Sequence, residues 1–194
     1  QLLDGDTRVF KVGYPIGTYF APDWAGVNPA NGDAQYYNLD GTITTTYNVN
    51  TQSTTNSGSL YPKLTGGVST SLYYKGFSLN ALVVFVSDVM RWNNEDFYNE
   101  NQIYASSNQT VRMLEDRWKK PGDTDAILQR FDVPRNFTSK DIQDASFIRL
   151  RNVNLGYDLS SAFVNKLKIT KGVRLFVQGQ NLFTITKWRG LDPE

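Results

Sequence analysis

No cysteine and no histidine occurs among the 194 residues. The first absence excludes disulfides and thiolate metal sites. The second removes the commonest metal ligand and general base, and with it every Ser-His or Cys-His catalytic arrangement. Long apolar runs are missing too. The longest, Ala81-Leu-Val-Val-Phe-Val86, falls far short of the ~18–20 residues of a membrane helix. Charge of one sign is also lacking: 20 Lys and Arg stand against 19 Asp and Glu, for a net charge of +1. That balance offers no clustered basic face for nucleic acid. The chain starts at Gln1 without a methionine and stops at Glu194 just past a strand-like segment, so both ends read as cut from something larger.

What remains is rich in aromatics, with 11 Tyr, 11 Phe and 4 Trp, and dominated by strand and turn signals. The clearest is a hairpin. Leu64 to Tyr74 forms one arm, Lys75-Gly76 the turn, and Phe77 to Val86 the other arm. Phe77, Leu79, Ala81, Val83 and Phe85 share one face, while Ser78 and Asn80 begin the other. In the first arm Val68, Leu72 and Tyr74 oppose Ser69 and Ser71. Period-two alternation of this kind marks a sheet with one apolar side. Lys-Gly supplies the positive φ that a two-residue turn needs. Arms of about ten residues suit a tilted strand crossing a bilayer.

A second region repeats the pattern. Val153, Leu155 and Tyr157 oppose Asn152, Asn154 and Gly156, and Val173, Leu175 and Val177 oppose Arg174, Gln178 and Gln180. A side carrying Arg and two Gln requires water or a dense polar network. The expected fold is therefore all-β, an antiparallel transmembrane β-barrel segment with one wet and one apolar face. Arg149 and Arg151 break the alternation, since they share a face with Val153. They are read as lying beyond the apolar band, near the headgroups or in a loop.

The connections differ greatly in length. Lys75-Gly76 is minimal, residues 158–172 hold one or two helical turns around Ser160 to Lys168, and residues 89–144 form a very long loop. Short turns on one rim and long loops on the other are the asymmetry of outer-membrane barrels. The expected organisation is one barrel domain over 1–194. Residues 1–60 give strands and an exposed loop that includes Tyr47 to Ser59. Residues 61–88 give the hairpin, 89–144 the long extracellular loop, and 145–194 a hairpin and the start of a loop.

Several segments resemble SusC-like (RagA-like) TonB-dependent transporters. They are Ser59 to Phe77, Ser146-Phe-Ile-Arg-Leu-Arg-Asn-Val-Asn-Leu-Gly-Tyr157, and above all Gly179-Gln-Asn-Leu-Phe-Thr-Ile-Thr-Lys-Trp-Arg-Gly-Leu-Asp-Pro-Glu194. Trp24-Ala-Gly-Val-Asn-Pro-Ala-Asn-Gly-Asp33 and Asp116-Arg-Trp-Lys-Lys-Pro-Gly-Asp123 support them, in the family's order. The resemblance implies the late part of a 22-stranded barrel in the Gram-negative outer membrane, with the plug, the TonB-contacting segment and the final strand outside this chain. It also implies a SusD-like surface lipoprotein as partner, engagement of the TonB complex, outer-membrane lipid around the wall, and import of oligosaccharides or oligopeptides.

The candidate contact residues follow. Trp92, Phe97, Tyr98 and Tyr104 could stack sugar rings or peptide side chains at the mouth, or simply pack the loop upon itself. Arg174, Gln178 and Gln180 could line the transport path or hydrogen-bond wall to plug. Trp118 reads as structural and Trp188 as an interfacial anchor. The acidic pairs Glu95-Asp96, Glu115-Asp116 and Asp123-Thr-Asp125 read as loop charges, and Asp23, Asp33 and Asp40 as turn residues. No catalytic, cofactor or metal residue is expected. The alternative is a soluble carbohydrate-binding β-sandwich, which requires a dry core where Arg174, Gln178 and Gln180 stand.

Overall fold

In the computed structural model the Lys75-Gly76 pair turns the chain with φ of 48° and 88°, the left-handed pair that matches the twist of flanking strands. The described residues are 2–4, 8–49, 51–52, 54–167 and 172–194, with backbone alone at 2–4, 8–10, 54–56 and 167. In chain order the strands are β1 (Leu2–Asp4), β2 (Arg8–Phe10), β3 (Thr18–Pro22), β4 (Trp24–Val27), β5 (Ala34–Tyr37), β6 (Ile43–Thr44), β7 (Thr54–Ser59), β8 (Leu64–Tyr74), β9 (Phe77–Ser87) and β10 (Met90–Trp92). Then come helices α1 (Asn94–Asn99) and α2 (Arg112–Glu115), strands β11 (Ile142–Asp144) and β12 (Phe147–Asp158), helix α3 (Ser161–Leu167) and strand β13 (Arg174–Thr186).

The wall is a four-stranded antiparallel sheet in the order β13-β12-β9-β8. Its register sorts the side chains, because paired residues point to the same side of a sheet. Leu72, Leu79, Leu155 and Val177 stand side by side across the four strands, as do Tyr74, Phe77, Tyr157 and Leu175. The alternate row is Ser71, Asn80, Asn154 and Gln178. Leu72, Leu155, Leu175 and Val177 are each more than half exposed, and no second sheet covers this apolar face among the described residues. The β-sandwich alternative needs that cover.

The faces are not pure from end to end. Toward the long loop, β9 places Leu82, Val84 and Val86 on the side of Asn80 and Asn154. In β12 the pairing jumps at Arg151: Leu150 faces Val83 and Asn152 faces Leu82, so Arg151 is one extra residue against β9. A one-residue bulge reverses the facing of everything beyond it. Ile148 and Leu150 thereby join the apolar face, and Arg149 turns to the polar one. The expectation that Arg149 and Arg151 lie beyond the apolar band is corrected for Arg149. It sits inside the ladder, paired with Val84 and Thr184.

The short turns share one end of this sheet. Asp158 N–H donates to the Gly76 carbonyl at 2.8 Å, and α3 follows as the short helical connection the sequence predicts. At the other end β10 and β11 continue as a two-stranded ladder into the cap formed by residues 93–141. The apolar core beside the cap joins Tyr19 and Ala21 of β3 to Ile142 of β11, with Leu60, Met90, Trp92 and Phe137 packed on it. One further correction concerns the tract Tyr47 to Ser59, expected to be loop throughout. Its second half is β7, paired antiparallel to β3, and Gln52 is buried. Thr-rich sequence is compatible with extended pairing, but its polar composition conceals it.

Candidate functional site

Two groups of expected contact residues occupy opposite ends of the structure. Arg174, Gln178 and Gln180 lie on the polar face of β13, opposite Asp158, Asn154 and Asn152. Arg174 reaches over Gly156, where a Cβ would meet its guanidinium at 2.9 Å, and donates to Ser78 Oγ at 2.7 Å. Gln178 and Gln180 are exposed. This face offers amides, hydroxyls and one guanidinium to water.

At the cap end, Trp92 packs against Phe97 with ring centroids 5.9 Å apart, and against Tyr98 at 6.5 Å. Tyr98 meets Tyr104 edge-on at 5.0 Å. Phe137, which sequence reasoning did not single out, completes the cluster 5.4 Å from Trp92. The aromatic residues thus pack upon one another, while Tyr98 and Tyr104 keep about two fifths of their surface exposed. Such rings are held rigidly and still present a face.

A buried ion network fixes that cluster. Asn93 caps α1, accepting from Asp96 N at 3.0 Å. Arg135, 5 % exposed, donates to Glu100 at 2.9 Å and pairs with Asp141, and its guanidinium lies 5.6 Å from the Phe97 ring. Arg112 bridges Glu100 at 2.7 Å, Asp96 at 3.3 Å and Asp116 at 3.0 Å. Burial pushes the Glu100 and Asp141 carboxyls up, and Arg135 opposes that shift in both. Lys140 sits 4.1 Å over the Trp24 ring and donates to the Ile127 carbonyl at 3.1 Å. Burial, then repulsion from Arg135, brings its ammonium down to about 7.

The remaining residues have plain roles. Asp116 belongs to the Arg112 network, and Asp123 accepts from Lys119 N. Asp33 pairs with Arg130 at 2.9 Å, and Asp40 accepts from the Thr42 amide and hydroxyl. Trp188 is half-buried over Gly190.

Sequence reasoning missed a cluster on the polar face at the cap end. Arg149 is buried, 5 % exposed, and binds Thr184 Oγ1 at 3.0 Å, Glu194 at 2.8 Å and Asp192 at 2.6 Å. Arg151 also pairs with Glu194. The same terminal segment is tied to α1, through Arg189 to Asp96 at 2.9 Å and through Leu191 N–H to Glu95 at 3.2 Å. Its only signal in the sequence was the broken alternation at Arg149 and Arg151.

No family model matches the chain. Among curated proteins it is similar to TonB-dependent receptor P3 of Formosa agariphila, 29% identical across 100% of this chain and 20% of that protein. It is also similar to TonB-dependent receptor SusC of Bacteroides thetaiotaomicron, 40% identical over 53 residues, which is 27% of this chain and 5% of that protein. The chain thus spans about a fifth or less of the length of these relatives. Among solved structures the RagAB peptide importer in its open-open state superimposes with a TM-score of 0.85, at 26% identity, covering 100% of this chain and 21% of that one. The RagAB peptide transporter gives 0.84 at 26% identity over 99% of this chain and 22% of that one. Sequence and fold agree, and both support reading the chain as a stretch of a SusC/RagA-like TonB-dependent receptor.

Proposed function

We propose that the full-length protein is an outer-membrane β-barrel that imports an oligomeric nutrient under TonB control, and that this stretch supplies wall strands and outer loops. The observation that carries the reading is the ladder of rows in the sheet. One face is apolar across Leu72, Leu79, Leu155 and Val177, with Leu72, Leu155 and Val177 exposed, and the other presents Ser71, Asn80, Asn154 and Gln178. That division suits lipid outside and water inside. As an open sheet it has two unpaired edges, which only barrel closure satisfies in hydrocarbon. By family likeness the whole barrel has 22 strands, an internal plug and a SusD-like lipoprotein lid.

Import in this reading is not enzymatic. The barrel offers a wet passage, the plug closes it, and force transmitted by TonB displaces the plug. Tyr98 and Tyr104, backed by Trp92 and Phe97, supply flat contact area at the mouth, and Arg174, Gln178 and Gln180 line the passage. Oligosaccharides and oligopeptides both suit such a surface. The peptide importer named in the RagAB structures favours oligopeptides.

The test is uptake of labelled oligopeptides and oligosaccharides by cells carrying the full-length protein, with and without TonB. Uptake of one class that vanishes without TonB is expected; uptake indifferent to TonB would reject the proposal.

A further inference from the structure

We infer that the apolar face of the wall holds one anionic phospholipid beside the Lys75-Gly76 turn, with an acyl chain in a hollow between two rows of side chains and the phosphate on the Lys75 ammonium. The inference rests on the membrane-barrel part of the reading above, and names a lipid class and a leaflet for it.

The register of the sheet builds the hollow. Tyr74, Phe77 and Tyr157 stand side by side in the row nearest the turn, and the Phe77 and Tyr157 rings lie 4.4 Å apart. The next row inward is aliphatic, running from Leu72 to Val177. Long aromatic side chains beside shorter aliphatic ones leave a step, and the two rows line a hollow of about 400 Å³. That volume falls within the ~300–1,000 Å³ of small-ligand pockets. Tyr74, Leu72 and Val177 keep most of their surface exposed, so a hydrocarbon chain laid there removes apolar area from water or from looser contact.

Charge selects the head group. The Lys75 ammonium lies 5.2 Å from the centre of the Tyr74 ring, at the edge of the hollow. No carboxylate pairs with it among the described residues, and Asp158, whose amide bonds Gly76, pairs instead with Arg174 at 3.7 Å. In sequence, residues 75–76 and 158–174 together carry five Lys and Arg against one Asp, on a chain whose net charge is only +1. Basic side chains just outside the hydrocarbon favour anionic lipid, each by roughly fivefold in affinity. Short turns mark the periplasmic side of such barrels, which puts this lipid in the periplasmic leaflet. Tyrosine rings suit that boundary, with an apolar body and a polar tip.

A second copy of the chain fits the same face less well. Two copies inserted in one membrane share an orientation, so a two-fold contact here brings the basic ends together, Lys75 toward Lys75. Like charges placed so oppose association.

The experiment is native mass spectrometry of the full-length receptor in detergent, titrated with phosphatidylglycerol or phosphatidylcholine. One phosphatidylglycerol is expected to stay bound, at least fivefold more tightly than phosphatidylcholine. Lys75→Gln should weaken phosphatidylglycerol about fivefold and leave phosphatidylcholine unchanged. Val177→Trp fills the hollow while keeping the face apolar, and should abolish retention of both lipids. Val68→Trp, on the same face but outside the hollow, should retain them.

Equal affinity for the two lipids, full phosphatidylglycerol binding by Lys75→Gln, or equal behaviour of the two tryptophan variants would each overturn the site. A dimer that Val177→Trp alone dissociates would also overturn it, assigning the hollow to a second copy. The membrane reading has its own check in cysteine placed at Val68. Reaction with a water-soluble maleimide and not a lipid-soluble one would sink that reading, whereas a lipid-facing Val68 without lipid preference sinks the site alone.

Discussion

The indole N–H of Trp118 donates to the carbonyl of Pro29 at 3.0 Å, joining segments 89 residues apart. The Gly122 amide reaches the same carbonyl at 2.9 Å, and Arg130 binds Asp33. The ring of Trp118 lies on Gly32, where a Cβ would sit 2.5 Å from it. Two motifs, Trp24 to Asp33 and Asp116 to Asp123, are therefore halves of one joint between the outer loops.

Gly32→Ala should open that joint. The residue has φ of 76° and no room for a methyl group, so strain and overpacking together cost roughly 1–3 kcal/mol. Hydrogen exchange of the full-length protein should show lost protection at Gly122 and Arg130 while the wall strands stay unchanged. Unaltered protection at those amides would show that the ring does not depend on the glycine.

The two faces of the wall should differ sharply in their tolerance of charge. Val153→Arg, on the apolar face opposite Ala81, should cost about 2–4 kcal/mol in the assembled barrel. Asn154→Arg, its neighbour on the polar face, should cost little. Refolding into lipid vesicles measures both, and equal costs would contradict the orientation of the sheet.

Arg135→Met should melt the cap without unfolding the wall. It strips counter-charge from Glu100 and Asp141, which are almost fully buried at 1% and 0% side-chain exposure. Breaking one partner of such a pair costs about 3–5 kcal/mol. Limited proteolysis should then cut within residues 93–141 and spare β8, β9, β12 and β13.

Lys140 gives the cap a defined pH response. Its folded pKa is about 7, while an unfolded lysine holds its proton to about 10.4. Between these values the unfolded cap binds more protons, so this residue's contribution to stability rises with pH across that window. Below about 7 its penalty is fully present. Proteolytic resistance of the cap should increase from pH 7 toward 10, and Lys140→Met should flatten that increase. A titration midpoint near 10.4 by NMR of methylated lysine would remove the basis for this prediction.

The sequence by itself determined the wall. Period-two alternation is a local property, so Phe77 to Phe85 against Ser78 and Asn80 reveals the strand, and Lys75-Gly76 the turn, without knowledge of any partner. The helical turn near Ser161 was equally local. Absent histidine and cysteine disposed of most catalysis on chemistry alone. Only the tertiary structure decided where pairing departs from alternation or crosses long gaps. Arg149 reads as an interruption until β9 pairs with β12, because a bulge is defined against a neighbouring strand. Strand β7 is masked by its polar composition until β3 supplies its ladder. The Arg135 network and the Trp118 joint link residues many positions apart, and no periodicity records which distant charge or carbonyl a buried side chain will meet.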